Sequence, residues 1–482
     1  MRKATILFVS LVILFGGLFL AANILVSGYQ DDVTWQQEHI FGDPAAAEGL
    51  QVTAKNTLDN QLLWRSEGTP GQQPVTEFFY RIEVGEADEG IYDGIVLAVD
   101  EELYLMSPQS WTWWPDYYRQ RYAGLVDWYQ NIYSFMEEDS EIKMALDLPH
   151  YLEYYPLDGW FDLPGIETVS WRNYKQTSTK AEPDRRGEVF NEYFKIPIMG
   201  EYTLRLNIRK FYSSMEVYVA EIQADYLPAF FGITTEDTCY FTFDPIADDG
   251  RVADCSQIPG GYGIYSFRYT LDKRGKVQVD LNSLTTCVSL EPEGSYEDMW
   301  VSEDGKRIHL LTRREDGLYL TVADPASGTS LQELALPAPK ELDVKVQPGK
   351  GFLAVFCYNY EAGADNSVTV FAEETDGLYA EVFTAPLNRE IFSASTLLDL
   401  VGPDFAMAFD GTHLALAKNV MDHTSSGDPL GECCDYYTLV YDSTGMIYAE
   451  KTHVNLSFIN ATDKSLFCTP YGNTPLILEW NN

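Results

Sequence analysis

Carboxylates dominate the reactive groups of this 482-residue chain: 73 Asp and Glu stand against 33 Lys and Arg, for a net charge of −40. The densest candidate for cation chemistry is "FDPIADDGRVAD", where Asp244, Asp248, Asp249 and Asp254 could offer oxygen ligands of the kind Ca²⁺ takes. Its spacing departs from an EF-hand loop. Counted from Asp244, the third position is Ile246, and Asp249 occupies the sixth, where Gly is needed. A solvated acidic loop is the simpler reading, and Ca²⁺ is the one cofactor the sequence suggests. Cys239 and Cys255 flank the same loop and could close it as a disulfide in an oxidising compartment.

The remaining groups assemble no catalytic constellation. G-x-S-x-G, H-E-x-x-H and the phosphate-binding G-x-x-x-x-G-K-[ST] are missing from the sequence. His309 and His413 fall in strand-like runs and read as structural histidines, as Cys287, Cys357 and Cys468 read as buried thiols. Cys433 and Cys434 have Asp422, His423 and Glu432 nearby but lack the paired spacing of a metal site. Two correctly separated carboxylates would suffice for glycoside hydrolysis, yet no pair stands out among so many. An envelope carbohydrate-active enzyme is therefore the alternative function, and no catalytic residue is assigned. The strongest binding motif is "SWTWWPDYY": Trp111, Trp113, Trp114, Tyr117 and Tyr118 could stack on sugars, anchor a protein interface, or pack in a core.

Holding such groups requires a large β framework. With 45% hydrophobic and 14% aromatic residues the chain can bury a sizeable core despite its charge. One segment argues for a helix, near residues 117–146, where Leu125, Trp128, Tyr129, Ile132, Tyr133 and Met136 recur at three- and four-residue steps. Elsewhere alternating and apolar runs of strand length prevail.

From "WVSEDGKRIHLL" onward the runs repeat. "WVS", "KRIHLLT", "LYLTVAD" and "SLQELAL" read as a four-stranded antiparallel meander, and comparable sets follow to the C-terminus and precede it from "GGYGIYSFRYT". The turn positions Gly260, Gly305, Gly349, Gly411 and Asp463 recur about every 45 to 60 residues, the longer steps being explained by inserted loops.

The stretches "SEDGKRIHLL", "VADPASGTSLQELAL", "FDGTHLALA" and "YDSTGMIYAEK" resemble the blades of WD-repeat-like and related β-propellers, although the Trp-Asp dipeptide is missing. That resemblance covers about half the chain and implies five to seven four-stranded blades. A stack of β-sandwich domains is the alternative arrangement. The last unit lacks an outer strand, and "MGEYTLRLNIRK" (199–210) is a candidate to supply it.

At the N-terminus, Arg2 and Lys3 precede an uncharged apolar run over residues 6–26, about 30 Å long as a helix. The positive-inside rule places that end in the cytoplasm and the bulk of the chain outside. A cleaved signal peptide is the competing reading, but its apolar region would be shorter and end in a small-residue site. The charge argues against nucleic acid as a partner. The expected organisation is mainly β: a transmembrane anchor (1–28), a juxtamembrane segment with a hairpin (29–75), a β-rich region with one helix (76–200) and a propeller-like body (201–482). The expected role is a single-pass, extracytoplasmic binding or scaffolding protein of the bacterial envelope, with the membrane and an envelope protein or glycan as partners.

Overall fold

The repeat that opens at Trp300 is a real sheet. In the computed structural model β15 (Ser295–Val301), β16 (Ile308–Arg314), β17 (Gly317–Asp324) and β18 (Thr329–Leu336) run in sequence order as an antiparallel meander. Its first turn shows why "SEDGK" punctuates two apolar runs. Asp304 Oδ1 accepts from the Lys306 N–H (3.0 Å) and from the Ser302 hydroxyl (2.8 Å), and Gly305 takes φ +70°, a conformation that disfavours a Cβ. Asp410 repeats the device before the strand Leu414–Asn419, accepting from the backbone N–H groups of Thr412 (2.7 Å) and His413 (2.6 Å). Before the fourth strands of their meanders Asp324 and Asp442 cap their turns in the same way, accepting from Ala326 N–H (2.9 Å) and Thr444 N–H (2.7 Å).

The structure describes residues 14–18, 20–21, 34–58, 61–78, 95–99, 120–161, 169–170, 186–211, 214–271, 277–359, 365–374, 377–387, 405–419, 435–455 and 476–481. The chain divides into two compact units, Met1–Asp88 with Leu336–Asn482, and Glu89–Ala335.

In the Glu89–Ala335 unit, a second meander precedes the first: β11 (Phe230–Thr234), β12 (Thr238–Phe243), β13 (Gly263–Leu271) and β14 (Val277–Ser289). Its first turn lies between Thr234 and Thr238, so Gly260 sits before the third strand and not in the first turn where the spacing placed it. The acidic loop inserted between β12 and β13 caused the offset. Among the described residues the unit also holds two smaller sheets, β10 (Ser214–Ala224), β9 (Tyr202–Phe211) and β6 (Glu141–Asp147), and β5 (Ile95–Val99), β7 (Leu157–Phe161) and β8 (Val169–Ser170). Two helices, α1 (Ala123–Phe135) and α2 (Arg186–Tyr193), lie in the same unit.

The expected helix is therefore present but shorter than residues 117–146. It ends at Phe135, and "EIKMALD" is strand β6, because its side chains alternate in exposure and pair with β9. The segment 199–210 is likewise corrected: Tyr202–Phe211 pairs with β6 and β10 and closes no C-terminal repeat. Tyr129, Tyr155, Phe190, Phe194, Tyr202 and Tyr265 form the aromatic centre of this unit's main core. A smaller apolar cluster, including Ile233, Ile264, Met299, Ile308 and Leu310, joins the β11–β14 and β15–β18 sheets.

In the other unit, β19 (Asp343–Gly349), β20 (Phe352–Tyr358), β21 (Ser367–Glu373) and β22 (Tyr379–Pro386) form a third meander. A fourth, β23 (Ala406–Phe409), β24 (Leu414–Asn419), β25 (Asp435–Asp442) and β26 (Gly445–Asn455), gains a fifth strand from the start of the chain, β1 (Thr34–Gly42). The C-terminal strand β27 (Leu476–Trp480) pairs with β2 (Leu50–Leu58), which continues through β3 (Gln61–Gly68) to β4 (Val75–Phe78). The hairpin read in residues 29–75 is real, and the C-terminal strand completes its sheet. First strands of successive sheets lie beside each other: β19 near β23, and β23 near β27.

Among the described residues no helix is long and apolar enough to cross a membrane. Most of the apolar run 6–26 lies outside those residues, while 14–18, 20 and 21 are helical.

The tie between chain start and C-terminal sheet has a narrow point at Gly42, with φ +84° and no room for a Cβ beside the Ile447 carbonyl and Tyr448 Cα. Gly42→Ala is expected to cost roughly 3 kcal/mol through combined strain and backbone collision. Gly305→Ala, which meets open space, should cost about 1 kcal/mol. Urea unfolding of both variants checks this order.

Candidate functional site

One face of the β15–β18 sheet changes character along its length. Met299, Ile308, Leu310 and Ala323 bury one end of that face against the β11–β14 sheet. Two residues further along β16 and β17, the same face presents Thr312, Arg314, Tyr319 and Thr321. Over this polar end lies a cleft of about 440 Å³, walled by the β14–β15 connection and by Tyr262 and Glu333.

Arg314 organises the cleft. Its Nη2 lies 2.6 Å from Glu333 Oε2, its Nη1 3.2 Å from Glu333 Oε1, and the same Nη1 3.1 Å from Glu293 Oε2. The Tyr319 ring lies 4.3 Å from the guanidinium carbon. The hydrogen bonds it donates to Glu333 hold Arg314 more firmly protonated than a free guanidinium. Chemically, this is a planar donor group clamped by acceptors, with exposed carboxylates Glu291, Glu293 and Glu333 outnumbering the single cation. Thr312 and Thr321 also line it, only 8% and 5% exposed, and neither hydroxyl has a hydrogen-bond partner among the described residues.

The sites expected from sequence fare differently. Trp111, Trp113, Trp114, Tyr117 and Tyr118 lie outside the described residues. The four aspartates do not converge on a cation. Asp244 Oδ1 accepts from Ile246 N–H (3.0 Å), Asp249 is paired with Arg251 (2.6 Å), Asp254 accepts from Ser256 N–H (2.9 Å), and Asp248 is exposed. Among the described residues no three His, Cys, Asp or Glu side chains gather as a metal site. Asp244, Asp249 and Asp254 shape the loop, and Arg251, also paired with Asp225 (3.0 Å), supplies a cation beside it.

Cys239 and Cys255 are free buried thiols, so the disulfide that could have closed the acidic loop is not formed. Cys239 sits in strand β12, and the Cys255 thiol donates to the Ala253 carbonyl (3.4 Å). Burial pushes the Cys255 thiol up to about 12, which makes it unreactive as a nucleophile. Cys287 and Cys357 are free thiols as read from their apolar runs, both raised by burial to about 11. Sequence reasoning missed Thr312, Arg314, Thr321 and Glu333. Their signal was the polar pair Thr312 and Arg314 continuing the inward parity of Ile308 and Leu310 in "IHLLTRR".

Two buried ionisable groups lie outside the cleft. Glu450 on β26 is 3% exposed; its carboxylate accepts from the Gly71 N–H (2.9 Å) and the Tyr448 hydroxyl (2.8 Å), pinning the β3–β4 loop to the β23–β26 sheet. Burial raises its carboxyl above the ordinary value. His309 on β16 is stacked on Trp300 at 5.2 Å, directly across the strand pair, and burial lowers it to about 4.

No family model matches the chain, and no curated protein matches it in sequence. Among solved structures, a protein from Lactobacillus plantarum is similar at 10% identity, over 66% of this chain and 100% of that one, with a TM-score of 0.23. A putative 6-phosphogluconolactonase from Bacteroides fragilis matches at 10% identity over 84% of this chain and 95% of its own, with a TM-score of 0.29. The β-propeller domain of the Trilobed protease from Pyrococcus furiosus matches at 9% identity over 52% and 66%, with a TM-score of 0.21.

Two stability measurements test these assignments. Glu450→Leu should cost about 2 kcal/mol by leaving buried donors unpaired, and Glu450→Gln distinctly less, in denaturant titrations at neutral pH. For His309 the folded value lies below the ordinary 6.5, so below 6.5 the unfolded chain binds a proton that the folded chain refuses. Its contribution is complete above 6.5 and is lost as pH falls toward about 4, on the order of 3 kcal/mol. His309→Phe should flatten that part of the stability–pH curve.

Proposed function

We propose that this chain is a membrane-anchored, extracytoplasmic binding or scaffolding protein of the bacterial envelope with a propeller-like body. The cleft supports the binding half of this reading: it combines a clamped guanidinium with the Thr312 and Thr321 hydroxyls, neither of which has a hydrogen-bond partner among the described residues. The propeller-like reading is supported by the repeated meanders and, within the Met1–Asp88 and Leu336–Asn482 unit, by the neighbouring first strands β19, β23 and β27. The anchor is supported by the uncharged run over residues 6–26 behind Arg2 and Lys3. A net charge of −40 suits a body that stays soluble beside an anionic membrane without lying on it. The aromatic cluster from Trp111 to Tyr118 is a second docking surface within this proposal.

Cell fractionation tests it. The full chain, made in a bacterial host, should stay with membranes through alkaline carbonate extraction and be digested by protease added to intact spheroplasts. A chain lacking residues 1–28 should remain soluble in the cytoplasm. Release of the full chain by carbonate, or its protection from protease, would overturn the anchored and exported reading.

A further inference from the structure

We propose that the Arg314 cleft binds an uncharged, polyhydroxylated ligand, a short segment of neutral glycan; this deepens the binding-protein reading and rests on it. Three observations point to that chemistry. Thr312 and Thr321 place two hydroxyls in the cleft, more than nine-tenths buried and without a hydrogen-bond partner among the described residues. Both hydroxyls line the open cleft, and a ligand hydroxyl that both donates and accepts can bond them in place of solvent.

Charge narrows the class further. Glu291, Glu293 and Glu333 face one guanidinium that Glu293 and Glu333 already engage. Phosphorylated or sulfated ligands would meet net negative charge, and the overall charge of −40 adds to the repulsion. An organic cation would have to approach Arg314 itself. A neutral polyol meets neither penalty: its hydroxyls can donate to the exposed carboxylate oxygens and accept from the threonine hydroxyls. At about 440 Å³ the cleft falls within the roughly 300–1,000 Å³ typical of small-molecule sites.

The planar Arg314–Glu333 pair gives the site orientation as well as charge balance. Two parallel contacts fix the guanidinium plane above the Tyr319 ring, so acceptors on Glu333 are held at set positions. Ser289 and Ser330 at the margins of the cleft add two further hydroxyl groups.

The test applies the full chain, in mild detergent, to an array that carries neutral, sulfated and phosphorylated glycans. Retained glycans, with spermidine as the cationic probe, are then titrated by calorimetry. Retention of a neutral glycan is expected, with affinity falling about tenfold in Thr312→Val/Thr321→Val, whose folding is checked by circular dichroism and thermal unfolding. Arg314→Lys, which keeps the charge but loses the two-point clamp on Glu333, should weaken the same glycan. The inference is overturned if no neutral glycan is retained, if spermidine or an anionic glycan binds more tightly, or if a folded threonine variant binds unchanged. Hydrolysis of the retained glycan would leave the ligand class standing and overturn the binding-protein reading in favour of an enzyme.

Discussion

Strand pairing between the two ends of the chain is the constraint on which the Met1–Asp88 and Leu336–Asn482 unit depends. Thr34–Gly42 lies along β26, and five residues at the C-terminus, Leu476–Trp480, lie along β2. These ladders bring together segments separated by roughly four hundred residues, so the loop-closure entropy must be met before either sheet is complete. The close approach at Gly42 and the pinning of the Gly71 loop by Glu450 lie at this junction. Without it, β26 and β2 would each present an open edge, the feature that sheet proteins otherwise cover or charge.

A second constraint is the parity of strands. Because alternate residues share a face, β16 sends Ile308, Leu310, Thr312 and Arg314 the same way and His309 the other. The inward face can therefore change from apolar packing to a polar cleft within one strand. His309 is isolated from that chemistry by the pleat itself, packed on Trp300 and kept neutral by burial. The same strand thus contributes to core and site with no irregularity in its ladder with β17.

Much of the framework was legible because local chemistry specified it. The Asp-Gly turns, the meander from Trp300 to Leu336 and the thiols at Cys287 and Cys357 all appear where composition and period placed them. Errors arose where a local pattern had two readings. "EIKMALD" continued a helical run on paper, but its partner β9 made it a strand, and tertiary pairing outweighs propensity at such edges. The acidic loop after Asp244 likewise had two readings, a Ca²⁺ site or a solvated loop; Asp244 and Asp254 accept from backbone N–H groups there, and Asp249 pairs with Arg251.

By itself, the sequence determined that this chain is mainly β, built of short antiparallel meanders with capped turns, strongly acidic and preceded by an apolar run. Each of these follows from residue type and near-neighbour spacing, which the chain carries locally. Only the tertiary structure decided which sheet receives each chain end, that Cys239 and Cys255 stay apart, and that Thr312, Thr321, Arg314, Glu293 and Glu333 share one cleft. Those outcomes depend on which faces and edges meet across long stretches of chain, and a one-dimensional pattern of polar and apolar residues does not encode that choice.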